Sequence, residues 1–252
     1  MTELNTSLNQ EYESLLFHRD ALKKEGIQAA EKYTARFGEL VNEVFRKKIE
    51  CIEKKKKIAY CQMRLNKGMP INEAEMNSYI AAVMGEYYEE LSDMILQLTA
   101  AKNAVPIPAM DVRKIRQIYR QLAKKIHPDV RPDLAEDETI RSLWNAIREA
   151  YTCNDLKKLE ELRDQTELYL ANIDDADIQP EIPDIEEKII RLQEEIEKIL
   201  TTYPYMYRFI ITDVHECEER RKELEAELES YTAYSAKLDE TLNEMNIVRF
   251  TS

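Results

Sequence analysis

Helix breakers are rare in this sequence, and they cluster. Between Asn5 and Lys67 there is no proline and only two glycines, Gly26 and Gly38; the 252 residues together hold 4 Gly and 8 Pro. Glycine costs a helix interior roughly 1 kcal/mol relative to alanine and proline about 3, so the segments between breakers are free to be helical. β-Branched residues alternating with polar ones, the mark of a half-buried strand, are nearly absent. The expected fold class is all-α.

The breakers divide the chain. A helix from about Asn5 to Lys67 would be roughly 90 Å long if continuous. Lys67-Gly68-Met69-Pro70 ends it, and Asn72 with Glu75 reads as a capping box opening a second helix. Its apolar residues Met76, Ile80, Val83, Tyr87, Met94 and Leu98 follow 3-and-4 spacing to about Asn103, so residues 1–104 read as an antiparallel helical hairpin. After Val105-Pro106-Ile107-Pro108, Asp111 is expected to cap a helix running to about Ile126. His127-Pro128-Asp129 stops that helix, because proline disfavours the α conformation in the residue before it. Further helices are expected from Asp137 to Cys153 and, after a bend at Asn154-Asp155, to about Leu170. Residues 172–184 are acidic with two prolines, the pattern of a linker.

Beyond the linker, Asp184 and Glu187 suggest a second capping box. Ile185, Ile189, Leu192, Ile196 and Ile199 keep strict 4-3-4-3 spacing, a coiled-coil seam. Asp213 with Glu216 opens a last helix whose seam is Val214, Cys217, Leu224, Leu228, Tyr231, Leu238, Leu242 and Met245, interrupted by Arg221 and Ser235. Residues 185–252 therefore read as a C-terminal coiled-coil hairpin, in which the runs Met206–Ile211 and Ile247–Thr251 could pair as strands. Residues 46–67 hold nine Lys/Arg and two Glu, a balance of +7, whereas 213–246 hold eleven Asp/Glu and four Lys/Arg, a balance of −7. Either the two arms lie against each other, or against a second copy of the chain, or each charged face is solvated.

A formal net charge of −13 opposes a general nucleic-acid or anionic-membrane binder, since both need a dominant basic surface. No apolar run is long enough to span a bilayer, and a cytoplasmic location is the default expectation. Cys51 and Cys61 lie about 15 Å apart along one helix, too far to bridge, and no Cys-x-x-Cys occurs, so reduced thiols and no metal site are expected. His215 and Glu219 have an i,i+4 spacing that could share a metal, yet a cap followed by an acidic face accounts for them better. The Tyr203–Phe209 stretch is aromatic for a loop; it could be a client or partner contact, but local packing at a hairpin tip is the expectation. Lys54–Lys57 could touch nucleic acid, but a helix face paired with acidic neighbours accounts for the run better.

Residues 111–151 are more specific. Arg113, Arg116, Arg120 and Lys124 are spaced 3, 4 and 4, forming one exposed stripe. Ile115, Tyr119, Leu122 and Ile126 lie on the other face. From Pro106 to Arg131 there are seven Lys/Arg and two Asp, a local +5 in an acidic chain. Such a stripe beside a sharply turned loop can steer an acidic partner, although an ordinary solvated face has the same spacing. The run Ile118–Asp129 resembles helix II and the His-Pro-Asp loop of the DnaJ family. Trp144, Ile147, Ala150 and Tyr151 match its Phe-x-x-Ile-x-x-Ala-Tyr pattern on helix III, with Trp for Phe.

The resemblance implies a central J-domain over residues 105–171, flanked by N- and C-terminal long helical hairpins, in a co-chaperone without enzymatic activity or cofactor. It implies a partner, the ATP-driven seventy-kilodalton heat-shock chaperone, whose ATPase is stimulated on docking. Carried over by position, His127, Pro128 and Asp129 form the docking loop. Arg113, Arg116, Arg120 and Lys124 meet the acidic partner surface, and Asp129 engages a partner arginine. The arms would supply location or client choice. The family's helix I motif has no counterpart upstream of Asp111, so residues 91–103 are expected to fill its place. The zinc, Gly/Phe-rich and β-rich client modules are absent. A coiled-coil scaffold with an assembly-only J-domain is the alternative.

Overall fold

The computed structural model describes residues 2–104, 107–172, 182 and 184–250. Among them are eight α-helices, one 3-10 turn and no strand. The helices are α1 (Thr2–Asn66), α2 (Glu73–Asn103), α3 (Ala109–Ile126), α4 (Glu138–Thr152), α5 (Leu156–Asn172), α6 (Ile185–Thr201), α7 (Tyr207–Thr212) and α8 (Val214–Phe250), with the 3-10 turn at Pro132–Leu134 between α3 and α4. No described helix is long and apolar enough to cross a membrane. The four cysteines are unpaired; Cys51, Cys61 and Cys217 are buried and Cys153 is exposed.

Two compact units emerge, and neither is contiguous in sequence. One comprises the described residues within Met1–Ile27 and Val105–Tyr205, the other those within Gln28–Ala104 and Met206–Ser252. The expected division at 104, 171 and 184 is thus redrawn. The N-terminal turns of α1 belong with α3 to α6, and the residues expected to form a C-terminal hairpin are shared between the units. The seams explain why. Ile189, Leu192 and Ile196 of α6 are buried, but against Tyr12, Leu16 and Leu22 of α1 rather than against α8. Of the expected linker 172–184, the described residues are Asn172, which closes α5, Ile182, which is buried in the α1–α6 cluster, and Asp184; the rest lies outside the described residues.

In the first unit α3, α4 and α5 surround one core. Ile115, Leu122, Ile126, Ile147 and Leu159 are at most 1% exposed, and burying each aliphatic side chain contributes about 1.5–3 kcal/mol. Tyr119 of α3 stacks on Tyr151 near the end of α4, with ring centroids 3.9 Å apart. His127, just past the end of α3, meets Trp144 in the first half of α4. Late α3 beside early α4 makes the pair antiparallel, as the spacing predicts. The Asp137 carboxylate caps α4, accepting from the N–H groups of Thr139 at 2.8 Å and Ile140 at 3.0 Å, and its second oxygen accepts from Tyr169 of α5 at 2.8 Å.

Two expected caps are corrected. Asp111 is not the cap of α3: the helix starts two residues earlier behind Pro108, whose carbonyl accepts the Asp111 N–H, leaving Asp111 in the first turn, where its charge still favours the helix dipole. Asp184 precedes α6 with φ +52° and makes no capping bond. A cap residue needs extended dihedrals to aim its oxygen at the N2 and N3 amides, and the left-handed conformation removes that aim.

In the second unit, α1 beyond Gln28 packs against α2, α7 and α8. Gly68, with φ +62°, makes the α1–α2 turn, and the Asn72 side chain accepts from the N–H groups of Ala74 and Glu75 to start α2. At Gly38 the two helices approach closely: a Cβ there would lie 2.8 Å from Leu98 Cδ1, so the end of the Leu98 side chain would have to shift to admit one. Ile49, Ile80 and Met84 are the buried contacts of this hairpin. The run expected as a strand, Met206–Ile211, is helical instead: Tyr207, Ile210 and Ile211 share one face and cover Tyr33, Phe37 and Val44 of α1. Its proposed partner Ile247–Phe250 continues α8, and Thr251 lies outside the described residues.

Asp213 caps α8 through the amides of His215 and Glu216, and Cys217, Leu224, Ser235 and Leu238 line its buried face. Val214, expected on the seam, is 74% exposed. The oppositely charged segments do meet in this unit, at a small polar network. Lys54 Nζ reaches Asp239 at 2.6 Å and Ser235 Oγ at 2.7 Å, and the Ser235 hydroxyl donates to Glu50 at 2.8 Å. Cys51 also donates through sulfur to the Tyr231 carbonyl. Lys57 of that run pairs with Glu53 of α1 itself, and Lys55 and Lys56 are exposed.

Candidate functional site

The His-Pro-Asp turn is held from within. The His127 N–H donates to the Ala123 carbonyl at 2.9 Å, closing α3, and its own carbonyl accepts from Val130 at 2.9 Å and Arg131 at 2.7 Å. Nδ1 of the imidazole accepts the backbone N–H of Asp129 at 3.0 Å. The ring sits edge-on to Trp144 with centroids 4.6 Å apart and is only 5% exposed as a residue. His127 is therefore not displayed on the surface with the rest of the loop; it fixes the turn from below. Burial pushes its pKa below the ordinary 6.5, with Arg19 and Arg148 acting the same way against the upward pull of Asp129 and Asp20.

Asp129 is what the turn presents. Its carboxylate stands 3.9 Å from His127 Nδ1, and 48% of the side chain remains accessible. Pro128 is half-buried beside it. Burial, with the Asp129 charge nearby, pushes the Tyr12 hydroxyl up to about 12. Just beyond the turn, Arg131 is 7% exposed. It binds Asp133 through Nε at 3.0 Å and Nη2 at 2.7 Å, and reaches the Lys125 carbonyl at the end of α3.

Arg113, Arg116, Arg120 and Lys124 all lie exposed on the outer face of α3. With Gln117 and Gln121 they line an open depression. Four guanidinium or ammonium groups around a shallow groove suit carboxylates or other anions, and the planar arginines can bind them bidentately. Turn and stripe meet at one end of the same helix, as the sequence predicts.

The segment packed against this hairpin was not legible. Residues 91–103, expected in the place of the family's first helix, belong to α2 in the other unit. The N-terminal turns of α1 do the packing. Phe17 joins the α3–α5 core. Asp20 accepts a 2.6 Å bond from Tyr119, whose hydroxyl pKa is raised first by burial and then by the Asp20 charge. Lys24 donates to the Tyr151 carbonyl at 2.7 Å and lies 3.8 Å over the Tyr151 ring. Burial, reinforced by Arg116, pushes its amine down to about 8. Leu16 packs in a cluster that also contains Val130, the residue after the turn.

Among the described residues no group of three or more His, Cys, Asp or Glu side chains is gathered where it could hold a metal ion. No protein-family model, curated protein or solved structure matches the chain.

Proposed function

We propose that the first unit is a J-domain-type docking module, and that the chain is a cytoplasmic co-chaperone that stimulates the ATPase of a seventy-kilodalton heat-shock chaperone. The observation that carries this reading is the half-exposed Asp129 carboxylate, presented by a turn that His127 fixes, at the end of the helix bearing the cationic stripe. A buried positioning imidazole, an accessible acid and a row of exposed cations form a surface for a partner rather than a pocket for a reaction. The stripe attracts and orients an acidic partner face, while Asp129 can pair with one arginine of that partner. The second unit then provides location or client choice.

Single-turnover ATP hydrolysis by such a chaperone, with and without this protein, tests the proposal. Wild type should accelerate it and Asp129→Asn should not. Acceleration should weaken as salt rises, because the Debye length shrinks from ~10 Å at 0.1 M to ~3 Å at 1 M. Equal stimulation by Asp129→Asn would remove the assigned role of the turn. Absence of stimulation by every version, across several chaperones, would favour a scaffold instead, for which the long α1–α8 seam and its Glu50–Lys54–Ser235–Asp239 network are the supporting observation.

A further inference from the structure

The stripe is not presented with all its charge free. Lys124 Nζ lies 3.0 Å from Glu13, and Arg116 lies 3.8 Å from Glu25, both carboxylates of α1. Among the described residues Arg113 and Arg120 have no carboxylate partner. Asp20, bonded to Tyr119 in the middle of α3, lies between Glu13 and Glu25 in sequence, so α1 runs antiparallel along α3. It brings an acid against the cation at the far end of the stripe and another against one near its start.

We propose that Glu13 and Glu25 act as intramolecular competitors for the docking stripe, each occupying a cation that an acidic protein surface would otherwise claim. This rests on the docking reading above, and it names a control on that same surface. Both pairs are partly solvated: the Lys124 and Arg116 side chains are 58% and 49% exposed, those of Glu13 and Glu25 23% and 34%. Pairs of this kind are weak enough for a partner carboxylate to displace. An acidic surface therefore meets two uncommitted arginines first and gains the other two cations only by exchange. The competition lowers affinity for any acid that touches the stripe loosely. It favours a partner that also satisfies Asp129, whose contact the competitors do not touch.

The experiment compares wild type, Glu13→Gln/Glu25→Gln, and Glu11→Gln, which removes an exposed acid of the same helix that has no ion pair to the stripe. Each full-length protein is titrated against a fluorescein-labelled deca-glutamate peptide by anisotropy at low salt. It is also assayed for stimulation of single-turnover ATP hydrolysis, with Asp129→Asn alongside. The double variant should bind the peptide about two- to tenfold more tightly than wild type. Glu11→Gln should bind nearly as wild type does. The double variant should also reach half-maximal stimulation at lower concentration. Peptide affinity that is unchanged, lower, or raised equally by Glu11→Gln overturns the competition. If peptide affinity rises as expected but no version stimulates hydrolysis, the competition stands and the chaperone reading falls.

Discussion

The most direct test of the first unit is a cavity at Leu16. This residue is completely buried, in a cluster with Tyr12, Val130, Ile189 and Leu192. Leu→Ala at such sites costs about 2.7–5 kcal/mol, rising with the volume that neighbours fail to refill. Here those neighbours sit on α1 itself, on α6 and on the chain just past the His-Pro-Asp turn, and Tyr12, Ile189 and Leu192 cannot collapse inward without moving a helix. A loss of about 3–4 kcal/mol follows; with a urea slope of ~2 kcal/mol/M the midpoint falls by roughly 1.5–2 M. Trp144 is the only tryptophan in the chain and lies in the α3–α5 core, so its fluorescence reads this unit selectively. Leu16→Met, nearly conserving volume, should lose less than ~1.5 kcal/mol. If Leu16→Ala leaves the Trp144 transition in place, α1 is not part of the core that supports the turn, and residues 105–171 stand alone.

His127 supplies a pH dependence. Its folded pKa lies below the unfolded 6.5, so as pH falls the unfolded chain takes the extra proton first. The contribution is complete above pH 6.5 and is lost as pH drops through the lower folded value. An NMR titration of the ring should have its midpoint below 6.5, and a midpoint at or above that would refute the burial argument. For the same reason His127→Gln, which empties a site against Trp144, should cost about 1–3 kcal/mol in the Trp144 assay, leaving Asp129→Asn as the cleaner functional variant. In the second unit, Ser235→Ala removes the hydroxyl shared by Lys54 and Glu50 and should lower helix stability by about 1–2 kcal/mol in a circular-dichroism denaturation. A change under ~0.3 kcal/mol would mean that water replaces it.

Faces were legible wherever one helix carries the whole signal. Ile115, Tyr119, Leu122 and Ile126 are buried, and the four cations opposite them are exposed, because 3-and-4 spacing assigns both faces from α3 alone. The Asn72 and Asp213 caps were legible for the same reason. What a seam cannot state is its partner. Ile189, Leu192 and Ile196 call for an apolar surface, and proximity in the chain suggested α8, yet Tyr12, Leu16 and Leu22 cover them. Asp184 shows a second limit, since a residue type suited to capping does nothing once its backbone turns left-handed.

The contribution of α1 to the site escaped the sequence for an electrostatic reason as well. Residues 11–25 contain four acids and three bases, a balance of −1, which as a segment looks neutral beside the +5 of residues 106–131. On the folded helix the charges separate by role. Glu13, Asp20 and Glu25 reach Lys124, Tyr119 and Arg116 of α3. Lys23 instead pairs with Glu195 of α6, and Lys24 turns to the Tyr151 carbonyl. Complementarity in this unit is a property of helix faces, and a sum over residues erases it. The cationic stripe, read from sequence as four equivalent cations, becomes on the fold two arginines with no carboxylate partner among the described residues and two paired cations. An acidic partner would meet that graded surface, and the Glu13 and Glu25 variants measure how steep the grading is.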